Sequence, residues 1–370
     1  MINILEIIDG GFIGGGQTHI LSIIKCLDKE KFHPVVAASE KGEFINLVQK
    51  NHISFENIQL AKFYRTKYLK NIEKIINKYK IDVIHSHGGI AGMYARFYKK
   101  KNPEIKIVHT IHGIHYLNSH NFIRKFLSLS IEQLLVKYTD RFICVSDSDF
   151  KIAAANKIIN AELTTVIKNG IETEKFHRKQ KNKAIMRKLN IEDEDFIIGN
   201  ISRFDFQKNQ SFIISNAKYI LTKYPNVKIL LVGDGQHLEH CRQMAGRTGF
   251  SGRIIFTGEV SDTENYYSLF DIFIFPSLWE GLSIALIEAM ASSRCILSSN
   301  IPANSELIFD SGNGLLFDIN DNKTFLDKLE MLIKNKGLRN KLSEEAENDS
   351  LNYSERIMTE RIEKIYSELC

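Results

Sequence analysis

Short apolar runs alternate with amphipathic stretches through the first half of the chain. Runs at Asn3–Ile8, His33–Ala38, Val83–His85, Lys106–His112, Arg141–Val145 and Leu163–Ile167 have the length and β-branched content of buried strands. Between them, apolar positions recur at three- and four-residue spacing over Thr18–Leu27, Tyr68–Tyr79, Ile90–Lys100 and Phe122–Tyr138, which predicts helices. Strand–helix repetition of this kind calls for a parallel sheet covered on both faces. After Asn169-Gly170 the charged stretch Glu172–Lys183 reads as a linker. A second series then begins, with strands at Phe196–Ile201, Lys228–Val232, Arg253–Phe256, Ile272–Phe275, Cys295–Ser298 and Gly314–Phe317. The pattern predicts an α/β protein of two doubly wound domains, with a ligand cleft where the carboxyl ends of both sets of strands face each other. The last run, Ser354–Leu369, sets Ile357, Ile362, Ile365 and Leu369 on one helical face.

Composition narrows this picture. At 370 residues with 44% hydrophobic content, the chain can bury two cores. No apolar run approaches the roughly 20 residues that span a bilayer. Met1-Ile2-Asn3-Ile4 enters a strand without a signal-peptide pattern. Cys26, Cys144, Cys241, Cys295 and Cys370 are odd in number and widely spaced, as expected of reduced thiols in a cytoplasmic protein. The net charge of +5 hides an asymmetry: residues 1–170 carry 24 lysines and arginines against 15 acids, and the remainder is acidic. A basic first half suits an anionic partner such as a membrane surface or a lipid phosphate, and simple lysine abundance accounts for it equally well. Phe122-Ile123-Arg124-Lys125-Phe126-Leu127 fits a core-packed helix with a basic edge better than a membrane-docking one.

The chemistry is densest at Glu280-Gly281-Leu282-Ser283, followed by an apolar helical run containing Glu288. A strand ended by Pro276 precedes it, so Glu280 lies in a strand-to-helix loop and Glu288 about two turns into the helix. Exposed amides at Leu282 and Ser283 would favour an anion, and the flanking carboxylates could accept hydrogen bonds from sugar hydroxyls. Gly10-Gly11-Phe12-Ile13-Gly14-Gly15-Gly16 follows the first strand. His19 stands where a dinucleotide GxGxxG needs its last glycine, and Gln17-Thr18 stands where a Walker loop needs Lys-Ser/Thr, so a diphosphate lid fits better. His85, His87, His109, His112, His115 and His120 make half of the twelve histidines. No cysteine joins them, which favours a metal-free site over zinc; His85, His87 and His115 read as core or rim histidines. Asp147-Ser148-Asp149, read as capping a helix, and Asp193-Glu194-Asp195 are the available acidic triplets, and neither has the context of a metal site.

The Glu280/Glu288 segment resembles the Glu-x7-Glu signature of retaining family-4 glycosyltransferases of the GT-B fold. The likeness recurs in order along nearly the whole chain. Ser202-Arg203-Phe204 with Lys208-Asn209 resembles the family's Arg…Lys diphosphate clamp. Val232-Gly233-Asp234-Gly235 resembles its Gly-Asp-Gly turn, Phe256-Thr257-Gly258-Glu259-Val260 its nucleobase-side loop, Thr110-Ile111-His112-Gly113 the place of its catalytic histidine, and Asn169-Gly170-Ile171 its interdomain motif. The chain departs from relatives at Gln17-Thr18-His19, at Ser292-Ser293-Arg294 in place of Gly-x-Pro, and at Pro302-Ala303-Asn304-Ser305-Glu306 in place of Gly-Gly-x-x-Glu.

The resemblance implies two Rossmann-like domains facing across a cleft. Residues 1–172 form the acceptor side, joined by a crossing helix over 354–370, and residues 173–353 bind the nucleotide sugar. It implies transfer of a hexose-type sugar from a UDP-sugar to a glycan or lipid-linked acceptor, at the inner face of the membrane, with no metal or other cofactor and no nucleic acid partner. His112, Arg203, Lys208 and Glu280 are then the catalytic group. Gly15, Gly16, Gly233, Val260, Gly281, Leu282, Ser283 and Glu288 are the donor-binding group, with Glu288 on the ribose. An epimerase on the same scaffold and a non-catalytic binding subunit are the alternatives.

Overall fold

The structure, a computed structural model, describes residues 1–61, 64–118 and 121–370. These residues form two compact units, Met1–Gly170 with Tyr353–Cys370, and Ile171–Asn352.

The first unit is built on seven parallel strands: β1 (Ile2–Ile8), β2 (Phe32–Ala38), β3 (Ser54–Asn57), β4 (Val83–His87), β5 (Lys106–Ile111), β6 (Arg141–Cys144) and β7 (Thr164–Val166), in the order β3-β2-β1-β4-β5-β6-β7. The second has six: β8 (Phe196–Ile201), β9 (Val227–Val232), β10 (Ile254–Phe256), β11 (Ile272–Phe275), β12 (Cys295–Ser299) and β13 (Leu315–Phe317), in the order β10-β9-β8-β11-β12-β13. All its pairings are parallel. Central strands such as Ile272-Phe273-Ile274-Phe275 are buried along their whole length, which is why they read as continuous apolar runs. Each sheet reverses its winding once, between β1 and β4 in the first and between β8 and β11 in the second. A crevice opens beyond the strand ends at such a switch point.

Two elements escape the apolar pattern. β3 is a four-residue edge strand, Ser-Phe-Glu-Asn, with no fully buried position, and the helix Phe44–Lys50 is only seven residues long. The C-terminal helix, Glu355–Leu369, belongs to the first unit, where Met358, Ile362, Ile365 and Tyr366 pack with Ile4, Ile23, Phe32 and Val83. Ile357 is not on that face. It is 46% exposed, and its place is taken by Met358, four residues before Ile362.

The helix Phe122–Leu135 corrects the core-packed expectation. Phe122, Ile123, Phe126 and Leu127 are all exposed, and Arg124 stands among them in solvent. The buried side of this helix is carried instead by Glu132 and Leu135. Among the described residues no helix is long and apolar enough to cross a membrane.

Candidate active site

In the first unit the site grows from the β1/β4 switch point. The glycine loop leaves β1, and Gly14 serves as an extended N-cap for the helix Gly15–Cys26, so Gly15 and Gly16 form its first turn. A Cβ on Gly16 would press on Ile8 Cδ1 at 3.0 Å and reach ordinary contact with His112 Nε2 at 3.9 Å, so the glycine packs directly beside the histidine. His112 follows β5 directly and is half-buried.

Behind it runs a chain of hydrogen bonds that fixes the tautomers. His112 Nε2 lies 3.0 Å from His87 Nδ1, and His87 Nε2 donates to Glu6 Oε2 at 2.7 Å. Glu6 Oε1 accepts from the Tyr366 hydroxyl at 2.7 Å. His85 Nδ1 meets that same hydroxyl at 2.5 Å, and its Nε2 meets Thr110 Oγ1 at 2.7 Å. Since His87 Nε2 carries the proton for Glu6, its Nδ1 is an acceptor and His112 Nε2 is the donor. Burial alone would raise the Glu6 carboxyl, but the pull of His85 and the hydrogen bonds from His85 and His87 win and hold it well below the usual range. Burial lowers His87 to about 4 and takes His112 well below its ordinary value, helped by the neighbouring His19 and His87. At neutral pH these rings are uncharged.

Sequence reasoning located His112 but missed Glu6 and Tyr366. An acid inside the apolar strand Ile-Leu-Glu-Ile-Ile was the available signal for the first. His85 and His87 are core histidines with both ring nitrogens partnered, and His87 also braces His112. His120, and the side chain of His115, lie outside the described residues.

In the second unit the site sits at the β8/β11 switch point. The loop after β8 is held by Asp205, which was not anticipated: its Oδ2 accepts from Arg203 Nε at 2.8 Å and its Oδ1 from the Lys208 amide at 3.0 Å. Gln210 Nε2 fastens the other side, to Ser202 Oγ at 2.7 Å and Arg203 O at 2.9 Å. Lys208 Nζ reaches Glu280 Oε1 at 2.5 Å, and Gln207 Nε2 bonds Trp279 O at 2.8 Å. The loop after β11 is thereby clamped to the loop after β8. Arg203 keeps 64% of its side chain exposed, whereas Lys208 keeps 17% and Glu280 only 7%. Gly233 adopts φ +128, and a Cβ there would strike Ser202 O at 2.2 Å. Its amide donates to Gly258 O at 3.0 Å, which ties the Gly-Asp-Gly turn to the loop bearing half-buried Val260.

The helix Ile284–Ala291 is capped by Ser283, whose Oγ accepts from the Leu286 amide at 3.3 Å. Gly281, Leu282 and Ser283 are buried, contrary to the exposed amides expected from the sequence, because the apolar segment docks from its first residue. Glu288 is the fifth helical residue, one turn in rather than two. Its Oε2 meets the Tyr267 hydroxyl at 3.0 Å, which also lies 2.9 Å from Ala285 O. Burial raises the Glu288 carboxyl to about 7.

The departures from family pattern have local solutions. Ser293 takes a left-handed φ of 56, and Arg294 Nη1 bonds Phe270 O at 2.9 Å, so the loop turns without glycine. Ser146, rather than Asp147, caps the helix Asp147–Ala155. Asp147, Asp193 and Asp195 are each paired with a lysine. Among the described residues, the groupings tight enough to hold a metal are His19/His87/His112 and Glu6/His85/His87.

Comparison with known proteins places this architecture. The family model described as "Glycosyltransferase Family 4" matches residues 13–175, and that described as "Glycosyl transferases group 1" matches residues 181–349. The chain is 26% identical over 347 residues to the UDP-Gal:alpha-D-GlcNAc-diphosphoundecaprenol alpha-1,3-galactosyltransferase of Escherichia coli, covering 89% of each chain. It is 26% identical over 313 residues to the capsular polysaccharide biosynthesis glycosyltransferase CapH of Staphylococcus aureus, covering 83% of this chain and 84% of that one. Anabaena Alr3699/HepE in complex with UDP and glucose superposes with a TM-score of 0.89 at 19% identity, covering all of both chains. The fold and the ordered motifs define a glycosyltransferase of GT-B architecture. Within that class, the first unit carries a glycosyltransferase family 4 region and the second a glycosyl transferases group 1 region.

Proposed function

We propose that the protein is a retaining, metal-independent hexosyltransferase that uses a UDP-sugar and glycosylates a hydroxyl of a glycan or lipid-linked acceptor in surface polysaccharide or glycolipid synthesis. The observation that carries the reading is the clamped pair Lys208–Glu280 with Glu288 one turn into the following helix, at the switch point of the second sheet. The names of the relatives, a lipid-diphosphate galactosyltransferase among them, support the acceptor class. UDP and glucose bound in the Anabaena neighbour support the donor class.

In this reading Glu288 accepts hydrogen bonds from the ribose, and Glu280 with the Gly281–Ser283 segment holds the sugar and its phosphate. Gly233 and Val260 shape the nucleotide pocket, and Gly15 and Gly16 bring helix-start amides to the diphosphate. Arg203 and Lys208 neutralise charge on the departing diphosphate, the work a divalent ion does elsewhere. His112 takes the hexose. No residue serves as a covalent nucleophile; front-face displacement with retention follows from the family resemblance. The exposed Phe122, Ile123, Phe126 and Leu127, with Arg124 beside them, dock peripherally on the anionic inner face of the cell membrane. Vesicles rich in anionic lipid should retain the protein, and Phe126→Glu should release it.

Incubation with a panel of UDP-sugars, with and without a lipid-linked acceptor and in the presence of EDTA, tests the reading. Acceptor-dependent UDP release that survives chelation is expected. Interconversion of sugars without UDP release would indicate an epimerase. Absence of turnover with every donor would indicate a binding subunit. Loss on chelation restored by Mg²⁺ would overturn metal independence.

A further inference from the structure

Among the described residues, His19 is a fully buried imidazole with one ring nitrogen left over. It is 1% exposed, its Nδ1 bonds Asn169 Oδ1 at 3.0 Å, and its Nε2 has no partner. With Nδ1 carrying the proton for Asn169, Nε2 presents a bare lone pair in a desolvated interior, which is unfavourable unless something occupies it. The His19 ring stands edge-on to His112, with centroids 4.8 Å apart, and 5.6 Å from the ring of His87. One ligating atom from each of His19, His87 and His112 lies within 4.8 Å of the others.

We infer that His19, His87 and His112 form a site for a zinc-class divalent ion, and that the bound ion holds sugar transfer off by taking the Nε2 of His112.

The surrounding shell is already arranged for it. Metal-bound imidazoles donate their other N–H to a carboxylate or carbonyl, which fixes the ligating nitrogen. His87 does this to Glu6 at 2.7 Å and His19 to Asn169 at 3.0 Å. Two nitrogens bound tetrahedrally at zinc distance stand about 3.3 Å apart. His87 Nδ1 and His112 Nε2 are at 3.0 Å, so that pair needs only a slight opening, and His19 has to close by at most about 1.5 Å. Coordination moves the His112 proton from Nε2 to Nδ1 with no net release, because the ring is neutral beforehand. The neighbouring Glu6/His85/His87 grouping lacks this readiness. Its atoms are already engaged with Tyr366, Thr110 and one another, and it has no orphaned lone pair. The ion is an inhibitor and not a cofactor of the proposed transfer.

The inhibitory half rests on the transferase reading, whereas the site itself does not. Chelator-stripped full-length protein titrated with Co²⁺ should develop the absorption of a tetrahedral centre at one ion per chain, and calorimetry with Zn²⁺ should give the same stoichiometry. His19→Gln and His112→Ala should each weaken binding at least tenfold, while His240→Ala, in the other unit, should leave it unchanged. Melting of each variant without metal establishes that it is folded. Zinc should abolish UDP release by the wild type, reversibly with EDTA, and the activity that His19→Gln retains should resist it. Absence of a one-to-one site, or binding indifferent to His19 and His112, would overturn the site. Full transfer by the zinc-loaded wild type would overturn the inhibition. Absence of transfer by metal-free protein would count against the transferase reading alone.

Discussion

Two glutamates, one fully buried in the first unit and one half-buried in the second, show what a shared residue type can be used for. Glu6 stands in the core of the first sheet with its lone pairs taken by His87 and Tyr366, and it is held ionised. Glu288 stands one turn into a helix of the second unit with a single phenol beside it, and burial pushes its carboxyl to about 7. The first is a finished structural group. The second is an unfinished one, whose charged form waits for donors the protein does not supply. Under the proposed function, the pair of hydroxyls of a ribose would complete it. Tyr267 can serve either state: it donates to the Glu288 carboxylate, or it donates to Ala285 O and accepts from the protonated acid.

The two sites respond to pH with opposite signs. Below the ordinary histidine value of 6.5, an unfolded His87 takes up a proton that the folded ring refuses until about 4, so stability falls as pH falls through that window. Between 4.5 and about 7 the folded Glu288 keeps a proton that the unfolded chain has lost, so its contribution falls as pH rises. Acid stresses the first unit's cluster and relieves the second unit's glutamate.

The largest expected effect comes from breaking the finished group. Glu6→Ala leaves the buried donors of His87 and Tyr366 without an acceptor and should cost about 2–6 kcal/mol, at about 1–3 kcal/mol each, read as a lowered denaturation midpoint. Glu6→Gln, which keeps an acceptor, should cost clearly less. A Glu6→Ala protein as stable as wild type would mean that the network contributes nothing. Next in size is Lys208→Ala. Losing one preorganised charge beside the leaving group should slow turnover about 10²–10³-fold at saturating donor. A near-normal rate would remove Lys208 from the diphosphate site. His112→Ala should lower kcat about tenfold, the worth of roughly one hydrogen bond, and leave UDP affinity unchanged. If His112 serves only packing, the melting temperature should fall and the rate of folded protein should hold.

These effects also mark what the sequence could convey. Strands buried on both faces announce themselves as apolar runs, so Phe196–Ile201 and Ile272–Phe275 are read to the residue. The edge strand Ser54–Asn57 and the helix Phe44–Lys50 have too few apolar positions to register. The face of the C-terminal helix was misphased because Ile357 is apolar yet exposed, and periodicity alone cannot choose between it and Met358. Loop residues with chemistry were legible through motif spacing. Their pairing was not: Lys208 and Glu280, separated by 72 positions, are joined by a hydrogen bond that the spacing does not announce. The residues that brace them were not legible. Asp205, Gln210, Glu6 and Tyr366 act through tertiary hydrogen bonds, such as the one from Tyr366 to Glu6, that leave no periodic trace. Burial of Gly281–Ser283 was hidden for a related reason, since a motif gives order along the chain and not depth.

The most direct test is calorimetric titration of UDP into wild type and Glu288→Gln between pH 6 and pH 8. A carboxyl with a pKa of about 7 that binds the ribose when ionised should make wild-type affinity rise about tenfold over that interval. Glu288→Gln should bind more weakly at pH 8 and lack that rise. Equal affinity and equal pH dependence in the two proteins would contradict the assignment of Glu288 to the nucleotide, and with it the reading of the second unit as the donor site.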